Sequence, residues 1–255
     1  KLIVSDNLAK TYVLDINNGK ILWSKKNKAP FNSQIKILDG KFFIIDSENT
    51  LNCFFIKDGN KCWTFTTEKS FINSIKKLSI ILAEDVLVFN NSLGDITAID
   101  INEGSLLWQF SSLNSEIYED IMNLKTSNIV LNEDSIYFSN NKNKFYSLDL
   151  FTGKVNWEQN INSNLKPSII GNLILTVSLD GFFYVIDKNN GNILRITNLF
   201  NQDKLNKKNL IYPTGFILNF ENLFISTNIG KLLIVSIKNG KTKEILKIDN
   251  DKISR

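Results

Sequence analysis

The chain has 255 residues, of which 43% are hydrophobic and 22% charged, and its net charge of +4 is spread over interspersed lysines and acids. This composition is sufficient for a packed core, and it lacks both the basic footprint of a nucleic-acid-binding domain and an apolar run of about eighteen residues that would span a membrane. The sequence contains no histidine, which excludes Ser-His-Asp and Cys-His catalysis and histidine metal sites.

A hairpin pattern recurs along the chain, and each copy is centred on a turn glycine. In the first copy a β-prone run through Leu14 is followed by Asn-Asn-Gly turn chemistry and an apolar run that ends at Trp23. The turn glycines are Gly19, Gly59, Gly104, Gly153, Gly191 and Gly240. Their spacings of 40, 45, 49, 38 and 49 residues indicate a repeat architecture of propeller blades or a similar array.

Two further columns of residues keep a fixed offset from these glycines. Four residues after the glycine stand all four tryptophans of the chain, Trp23, Trp63, Trp108 and Trp157, and then Arg195 and Glu244 in the last two copies. Four residues before the glycine stand Asp15, Asp100, Asp149 and Asp187, with Phe55 and Ser236 as departures. We expect the aspartates to accept hydrogen bonds from turn N–H groups and the tryptophans to pack against a neighbouring blade.

Each repeat contains four predicted strands, named A to D in chain order. A second turn, for example Gly40 or Asp85, precedes the C–D turn glycine by 19 residues in four repeats and by 18 in the last. β-Prone runs flank that turn, and further turn residues separate strands B and C. The sequence therefore predicts an all-β fold, a β-propeller with about six four-stranded blades in one domain over residues 1–255. The predicted blades are 1–26, 33–67, 77–111, 127–161, 166–198 and 214–248.

Length variation is concentrated between strand D of one blade and strand A of the next. The long connectors are Ser112–Thr126 and Leu199–Pro213, with a shorter one at Glu68–Lys76. In an antiparallel blade the D–A connections lie on the same side as the B–C turns, so we expect these insertions to share one face. Insertions collected on one face of a repeat protein often mark its binding face.

The first predicted blade lacks strand A, because the offset of its A–B turn from Gly19 falls before Lys1. An open propeller exposes strand edges. We therefore expect the chain to be a fragment of a seven- or eight-bladed propeller.

The two cysteines, Cys53 and Cys62, lie in one predicted hairpin. If Phe55 faces Asn60 across the turn, the two cysteines face each other and can form a disulfide in an oxidising compartment. The alternative, which we favour from the sequence, is a pair of small buried thiols that fill one blade.

The pattern Ala98-x-Asp100-x-x-x-Gly104-x-x-x-Trp108, with Thr152-Gly153-Lys154 in another copy, resembles the tryptophan-docking repeat of PQQ-type β-propellers. That superfamily includes quinoprotein alcohol dehydrogenases and the BamB lipoproteins of the outer-membrane β-barrel assembly machinery, and the resemblance to BamB is the strongest. It covers the whole chain, but the motif residues themselves are structural.

The resemblance implies a non-catalytic scaffold of the bacterial periplasm or the periplasmic face of the outer membrane. It would act without a cofactor, as a monomer, and would bind protein partners, an outer-membrane barrel-assembly protein among them. Any lipid anchor would lie upstream of Lys1. The candidate partner-binding residues lie in the insertions: Tyr118, Ile121, Met122, Lys204, Lys207 and Tyr212. The stretch from Leu113 to Leu124 has apolar residues at helical spacing, typical of a short amphipathic helix that either binds a partner or caps the propeller core.

Two alternatives follow from the same resemblance. A quinoprotein dehydrogenase would hold PQQ and Ca²⁺ and commonly carries a disulfide between adjacent cysteines, whereas the two cysteines here are not adjacent. Acidic pairs occur at Glu84-Asp85, Glu119-Asp120 and Glu133-Asp134, but the first and third fall at A–B turns, where Asp and Asn are favoured anyway. An envelope interaction module outside the assembly machinery is the second alternative.

Overall fold

The computed structural model describes residues 1–68, 76–112, 125–200 and 211–248. Within these ranges the chain forms β-strands, turns and short irregular segments, without a helix. None of the described segments is a helix with the length and apolar character needed to cross a bilayer. The chain divides into two compact units, of which unit 1 comprises Lys1–Lys125 with Phe151–Gly153, and unit 2 comprises Thr126–Leu150 with Lys154–Arg255.

Unit 1 contains three antiparallel sheets whose strands pair in chain order. The first sheet has three strands, and the next two have four each. The strands are β1 (Leu2–Ser5), β2 (Lys10–Leu14), β3 (Ile21–Lys26), β4 (Lys36–Leu38), β5 (Lys41–Ile45), β6 (Thr50–Phe55), β7 (Lys61–Thr66), β8 (Ile80–Ala83), β9 (Val86–Asn90), β10 (Ile96–Asp100) and β11 (Leu106–Phe110).

Unit 2 contains three four-stranded antiparallel sheets, again paired in chain order. The strands are β12 (Val130–Asn132), β13 (Ser135–Asn140), β14 (Lys144–Asp149), β15 (Val155–Gln159), β16 (Ser168–Ile170), β17 (Leu173–Val177), β18 (Phe182–Asp187), β19 (Ile193–Asn198), β20 (Pro213–Leu218), β21 (Asn222–Thr227), β22 (Lys231–Ser236) and β23 (Thr242–Lys247). The predicted all-β blade organisation is confirmed, including a first sheet that holds only strands B to D. The prediction of a single domain over 1–255 stays a prediction.

The inner strand β5 is apolar on both faces because the second sheet packs against the first sheet on one side and the third sheet on the other. In β5, Phe42 and Ile44 join a cluster with Ile3 and Val13 of the first sheet. Phe43, the residue between them, joins the opposite cluster, which extends into the third sheet. A strand buried on both faces reads as a continuous apolar run, which explains why β5 and β9 show little alternation.

Every C–D hairpin carries a β-bulge directly before the tryptophan position. In the first hairpin Leu14 pairs with Ile21, but Val13 pairs with Trp23, so Leu22 is the extra residue. The same register shift occurs in the other five hairpins. A one-residue shift moves a side chain to the opposite face of a strand. The bulge thus places Trp23 on the face of buried Val13, where it packs into the cluster between the first two sheets.

The second hairpin corrects our interpretation of the cysteines. Cys53 and Cys62 form a disulfide, with their Cα atoms 5.3 Å apart. The favoured expectation of two free thiols was wrong. Phe54 pairs with Lys61 and Asn52 with Thr64, so the register shift of this hairpin falls at the cysteines and brings them together.

Candidate interaction face and blade-docking sites

The tryptophan of each hairpin docks on the C–D turn of the next hairpin in the chain. The indole Nε1 of Trp23 donates a hydrogen bond to the carbonyl of Ile56, Trp63 to that of Ile101, and Trp157 to that of Lys188, each at 3.0 Å. Each acceptor lies three residues before a turn glycine. The indole therefore satisfies a main-chain carbonyl of the next turn while its ring covers the blade core.

The turn glycine that meets each ring leaves no room for a side chain. At Gly191 the backbone has φ +74°, and a Cβ atom added there would lie 2.6 Å from the Trp157 ring. Gly59, Gly104 and Gly153 show the same approach to Trp23, Trp63 and Trp108. Gly19, in the first turn, also has positive φ (+69°) but has nothing within 4 Å of such an atom. Glycine is thus required by both backbone conformation and ring contact at four turns, and by conformation alone at the first.

The aspartates before these turns accept turn N–H groups. The Oδ1 atoms of Asp15, Asp100 and Asp187 each accept the N–H two residues later at 2.8 Å. Asp100 also accepts the N–H of Glu103. These carboxylates accept hydrogen bonds from backbone N–H groups of their own turns, and they therefore stabilise the local turn conformation.

Arg195 occupies the tryptophan position in the fifth hairpin and reaches the equivalent acceptor. Its guanidinium donates to the carbonyl of Ile237, three residues before Gly240, and to the carbonyl of Lys238 at 2.6 Å. The guanidinium carbon lies 5.5 Å from the ring centroid of Phe183. The contact with Gly240 is made by Thr197 instead, whose Oγ1 would lie 2.5 Å from an added Cβ. Glu244, the other departure, is exposed.

The B–C turns contain a column of polar residues that sequence inspection missed. Thirteen residues before the turn glycines stand Asp6, Asp46, Asn91, Asn140, Ser178 and Thr227. In all six, a side-chain oxygen accepts the backbone N–H four residues later, at 2.9–3.2 Å. Four residue types, Asp, Asn, Ser and Thr, play the same role here. What recurs at this offset is therefore a side-chain oxygen that accepts a hydrogen bond, and not one residue type.

The two aspartates at this position, Asp6 and Asp46, have pKa values shifted in opposite directions. The N–H groups of Lys10 and Leu8, with the hydroxyl of Tyr12, hold the pKa of Asp6 below its usual value. Burial raises the pKa of Asp46, although it accepts the N–H groups of Thr50 and Glu48. The same turn motif thus occurs in an exposed and a buried setting, and its hydrogen bonds dominate only in the exposed one.

The end of strand D returns to the B–C turn of its own blade by the same main-chain hydrogen bond in four of the six repeats, and by a side-chain hydrogen bond to the equivalent carbonyl in a fifth. The N–H groups of Asn27, Thr67, Leu199 and Ile248 donate to the carbonyls ten residues before the turn glycine, and Ser112 reaches the equivalent carbonyl of Gly94 through its hydroxyl. The end of strand D in each of these blades therefore lies on the B–C turn side. The three predicted insertions begin on this side of their blades.

Of the predicted partner-binding residues, Tyr212 lies in the described part of the chain. Its side chain is 39% exposed, and its backbone pairs with Asn228 beside the B–C turn of the last blade. The others, Tyr118, Ile121, Met122, Lys204 and Lys207, lie outside the described residues, as does the predicted helix at 113–124.

The acidic pairs occupy A–B turns where they are described. Glu84-Asp85 and Glu133-Asp134 are exposed, and Glu133 pairs with the Lys188 ammonium at 3.1 Å. In the ranges that the structure describes, no three acidic or cysteine residues come together as a metal site. The Cys53–Cys62 disulfide spans nine residues within one hairpin, unlike the adjacent-cysteine disulfide expected of a quinoprotein dehydrogenase.

Comparisons with known proteins agree with this architecture. Residues 1–197 match the family described as outer membrane protein assembly factor BamB. The structure is similar to BamB from Moraxella catarrhalis (TM-score 0.76, 15% identity, 96% of this chain and 72% of that one). It is also similar to Sqt1 from Saccharomyces cerevisiae (TM-score 0.71, 12% identity, 98% and 71%) and to a europium-containing methanol dehydrogenase (TM-score 0.65, 12% identity, 98% and 77%).

No curated protein sequence matches the chain. The solved structures, all at low identity, share the fold. The sequence match covers most of the chain and includes the tryptophan-docking hairpins described above. The chain therefore belongs to the BamB family of PQQ-type β-propeller repeat proteins.

Proposed function

We propose that the protein is a non-catalytic, protein-binding scaffold of the bacterial cell envelope that assists the assembly of outer-membrane β-barrel proteins. The observation that carries this proposal is the BamB family match over residues 1–197. A periplasmic location, at the outer membrane or free, and a monomeric state are part of the proposal.

The use of the motif residues supports a scaffold. Trp, Gly and Asp of each hairpin are engaged in docking and turn geometry, so the repeated residues serve the architecture. Binding would then fall to the segments that vary between blades. Those segments begin on the B–C turn side of their blades, and we assign partner contact to Tyr118, Ile121, Met122, Lys204, Lys207 and Tyr212.

The disulfide supports the envelope location. Cys53 is fully buried and paired with Cys62 within one hairpin. Disulfides persist mainly in oxidising compartments such as the periplasm and are rare in the cytosol. The pairing therefore agrees with the compartment in which BamB-like proteins would act.

The proposal is tested by crosslinking and affinity purification from an envelope extract, with the full chain as bait. We expect recovery of an outer-membrane barrel-assembly protein. We expect that recovery to be lost in the double variant Tyr118→Ala, Met122→Ala and in the single variant Tyr212→Ala. The matched control is Phe220→Ala, because Phe220 is an exposed aromatic at the A–B turn of the last blade, at the opposite end of strand A from Tyr212.

Two outcomes would contradict the proposal. Copurification of a quinone chromophore in place of a partner would favour the dehydrogenase. Recovery of an envelope partner unrelated to barrel assembly would favour an interaction module of another role.

A further inference from the structure

A polar groove of about 520 Å³ lies between the first and second sheets of unit 1. One wall is the end of β3 and the residues after it, Lys25 to Lys28. The floor is the face of β6 and β7 that looks toward the first sheet, and Asp46 and Glu48 from the turn between β5 and β6 also line the groove. The volume lies in the range of sites that hold small ligands.

The groove is open because a lysine replaces an aromatic residue. Six residues after the turn glycine, the second hairpin has Phe65, which is half-buried and packs edge-on against Phe89 of the third sheet at 6.3 Å. At the same position the first hairpin has Lys25, whose ammonium instead donates to the Asn60 side chain at 2.9 Å. The space that an aromatic ring fills between the second and third sheets is thus left open between the first and second.

The rim of this groove carries uncompensated positive charge. Lys25, Lys26 and Lys61 are exposed, and among the described residues none forms an ion pair with them. The acids of the groove are already engaged. The Glu48 carboxylate lies 3.6 Å from the Lys28 ammonium.

Asp46 is saturated by donors from its own blade. Its carboxylate accepts the N–H groups of Glu48 and Thr50 and the side-chain amide of Asn52. Its side chain is largely buried, with 8% of the residue exposed. The lining holds four lysines, Lys25, Lys26, Lys28 and Lys61, against the two acids Asp46 and Glu48, so the groove as a whole favours an anion.

The floor is a ladder of polar side chains at a strand-like spacing. Thr50 pairs with Thr66, their hydroxyls 3.1 Å apart, and Asn52 pairs with Thr64 in the next register position on the same face. Alternate residues of a strand are about 6.6–6.8 Å apart. This spacing matches the alternate side chains of a second extended chain laid along the groove.

We propose that this groove binds an acidic segment of a protein partner in an extended conformation. Carboxylates of the segment lie against Lys25, Lys26 and Lys61, and its polar groups contact the threonine and asparagine floor. The inference rests on the proposed scaffold function and adds a surface separate from the insertions, together with the chemistry of the segment that it takes.

The test uses the full chain and a fluorescein-labelled peptide of alternating glutamate and threonine, followed by fluorescence anisotropy. We expect saturable binding that weakens with added salt, and at least roughly tenfold lower affinity for the double variant Lys25→Glu, Lys61→Glu. The matched control is Lys20→Glu, Lys57→Glu, which reverses two exposed lysines outside the groove and should bind like the parent.

A second variant tests whether the open space of the groove is needed. Lys25→Phe installs the residue type found at the equivalent position of the next hairpin, so it should fill the groove, leave the unfolding midpoint unchanged or higher, and reduce binding to a similar extent. Equal binding of a glutamine–threonine peptide, an equal loss in the control variant, or no binding at all would overturn the proposal. Binding of tripolyphosphate as tight as that of the peptide would also overturn it, in favour of compact anions.

The groove and the scaffold function fail in distinguishable ways. If envelope purification recovers the barrel-assembly partner equally with the parent and with Lys25→Glu, Lys61→Glu, and the peptide does not bind, the groove proposal fails and the scaffold stands. If the peptide binds as expected but no envelope partner is recovered, the groove stands and the assembly role fails.

Discussion

Two docking sites in unit 2 perform the same task with different side chains. Trp157 stacks on Phe145, with ring centroids 5.8 Å apart, and donates to the carbonyl of Lys188. Arg195 lies over Phe183, the equivalent aromatic position, and donates to the carbonyl of Ile237. Both phenylalanines stand eight residues before their turn glycine, and both acceptors stand three residues before the next one.

The comparison shows what a docking site requires. Indole and guanidinium are both flat N–H donors that can lie on an aromatic ring and reach a main-chain carbonyl. They differ in how the turn glycine is covered, because the Trp157 ring contacts Gly191 directly whereas Thr197 covers Gly240. Both sites thus share the position of the acceptor carbonyl and a flat N–H donor. They differ in which side chain contacts the turn glycine.

The largest effect is expected from Trp157→Ala. The substitution removes the ring from Phe145 and Tyr137 and leaves the Lys188 carbonyl without its indole donor. We expect a loss of ~3 kcal/mol in the free energy of unfolding, at the lower end of values for tryptophan truncation because the ring is half-buried. Urea denaturation followed by circular dichroism measures it, and an unchanged midpoint would show that this ring contributes nothing to docking.

Gly191→Ala tests the contact from the other side. It introduces a Cβ at φ +74° and 2.6 Å from the Trp157 ring, so left-handed strain of ~1–2 kcal/mol adds to overpacking of ~1 kcal/mol or more. The control is Gly19→Ala, which has a similar φ without the ring and should cost ~1–2 kcal/mol. Equal midpoint shifts for the two variants would mean that only backbone conformation selects glycine.

Arg195→Ala tests the arginine site by the same denaturation measurement. Hydrogen bonds from a charged donor contribute ~1.5–3 kcal/mol when desolvated, and the partial exposure of this guanidinium reduces the expected loss to ~1–2 kcal/mol. Arg195→Lys should recover little of it, because an ammonium cannot present two donors in one plane. Full stability of the lysine variant would show that charge alone suffices at this position.

The smallest effect is expected from Arg195→Trp, which converts the arginine site into a tryptophan site. If the two sites are equivalent in their requirements, the indole should reach the Ile237 carbonyl, and the loss in unfolding free energy should stay below the ~1–2 kcal/mol expected for Arg195→Ala. A larger loss would mean that Thr197 has specialised the turn around Gly240 for the guanidinium.

The blade repeat could be predicted because its residues recur as identities. Glycine, tryptophan and aspartate at fixed offsets located the hairpins, and the strands of the structure follow the predicted order in every blade. The column that begins with Asp6 and ends with Thr227 was missed because Asp, Asn, Ser and Thr are different residues with one shared acceptor oxygen. A search for hydrogen-bonding capacity at the same offset would have found it.

The register of the hairpins was less accessible to sequence reasoning. Counting across the turn at Gly59 placed Cys53 opposite Cys62, but it gave no reason to expect a bulge in this hairpin. The prediction of two free thiols, which we favoured, was wrong because the cysteines form a disulfide. A bulge depends on which side chain must reach the neighbouring sheet. Local composition does not contain that information.

The sequence by itself determined the class of fold, the number and order of strands, and the positions of the turns, because turn chemistry acts within about ten residues. Tertiary structure alone decided which tryptophan meets which glycine, that Arg195 reaches the same acceptor position as an indole, and that Lys25 leaves a groove where Phe65 fills one. These outcomes depend on packing between sheets whose contacting residues lie 24 or more positions apart in the chain, and a local pattern cannot specify such contacts.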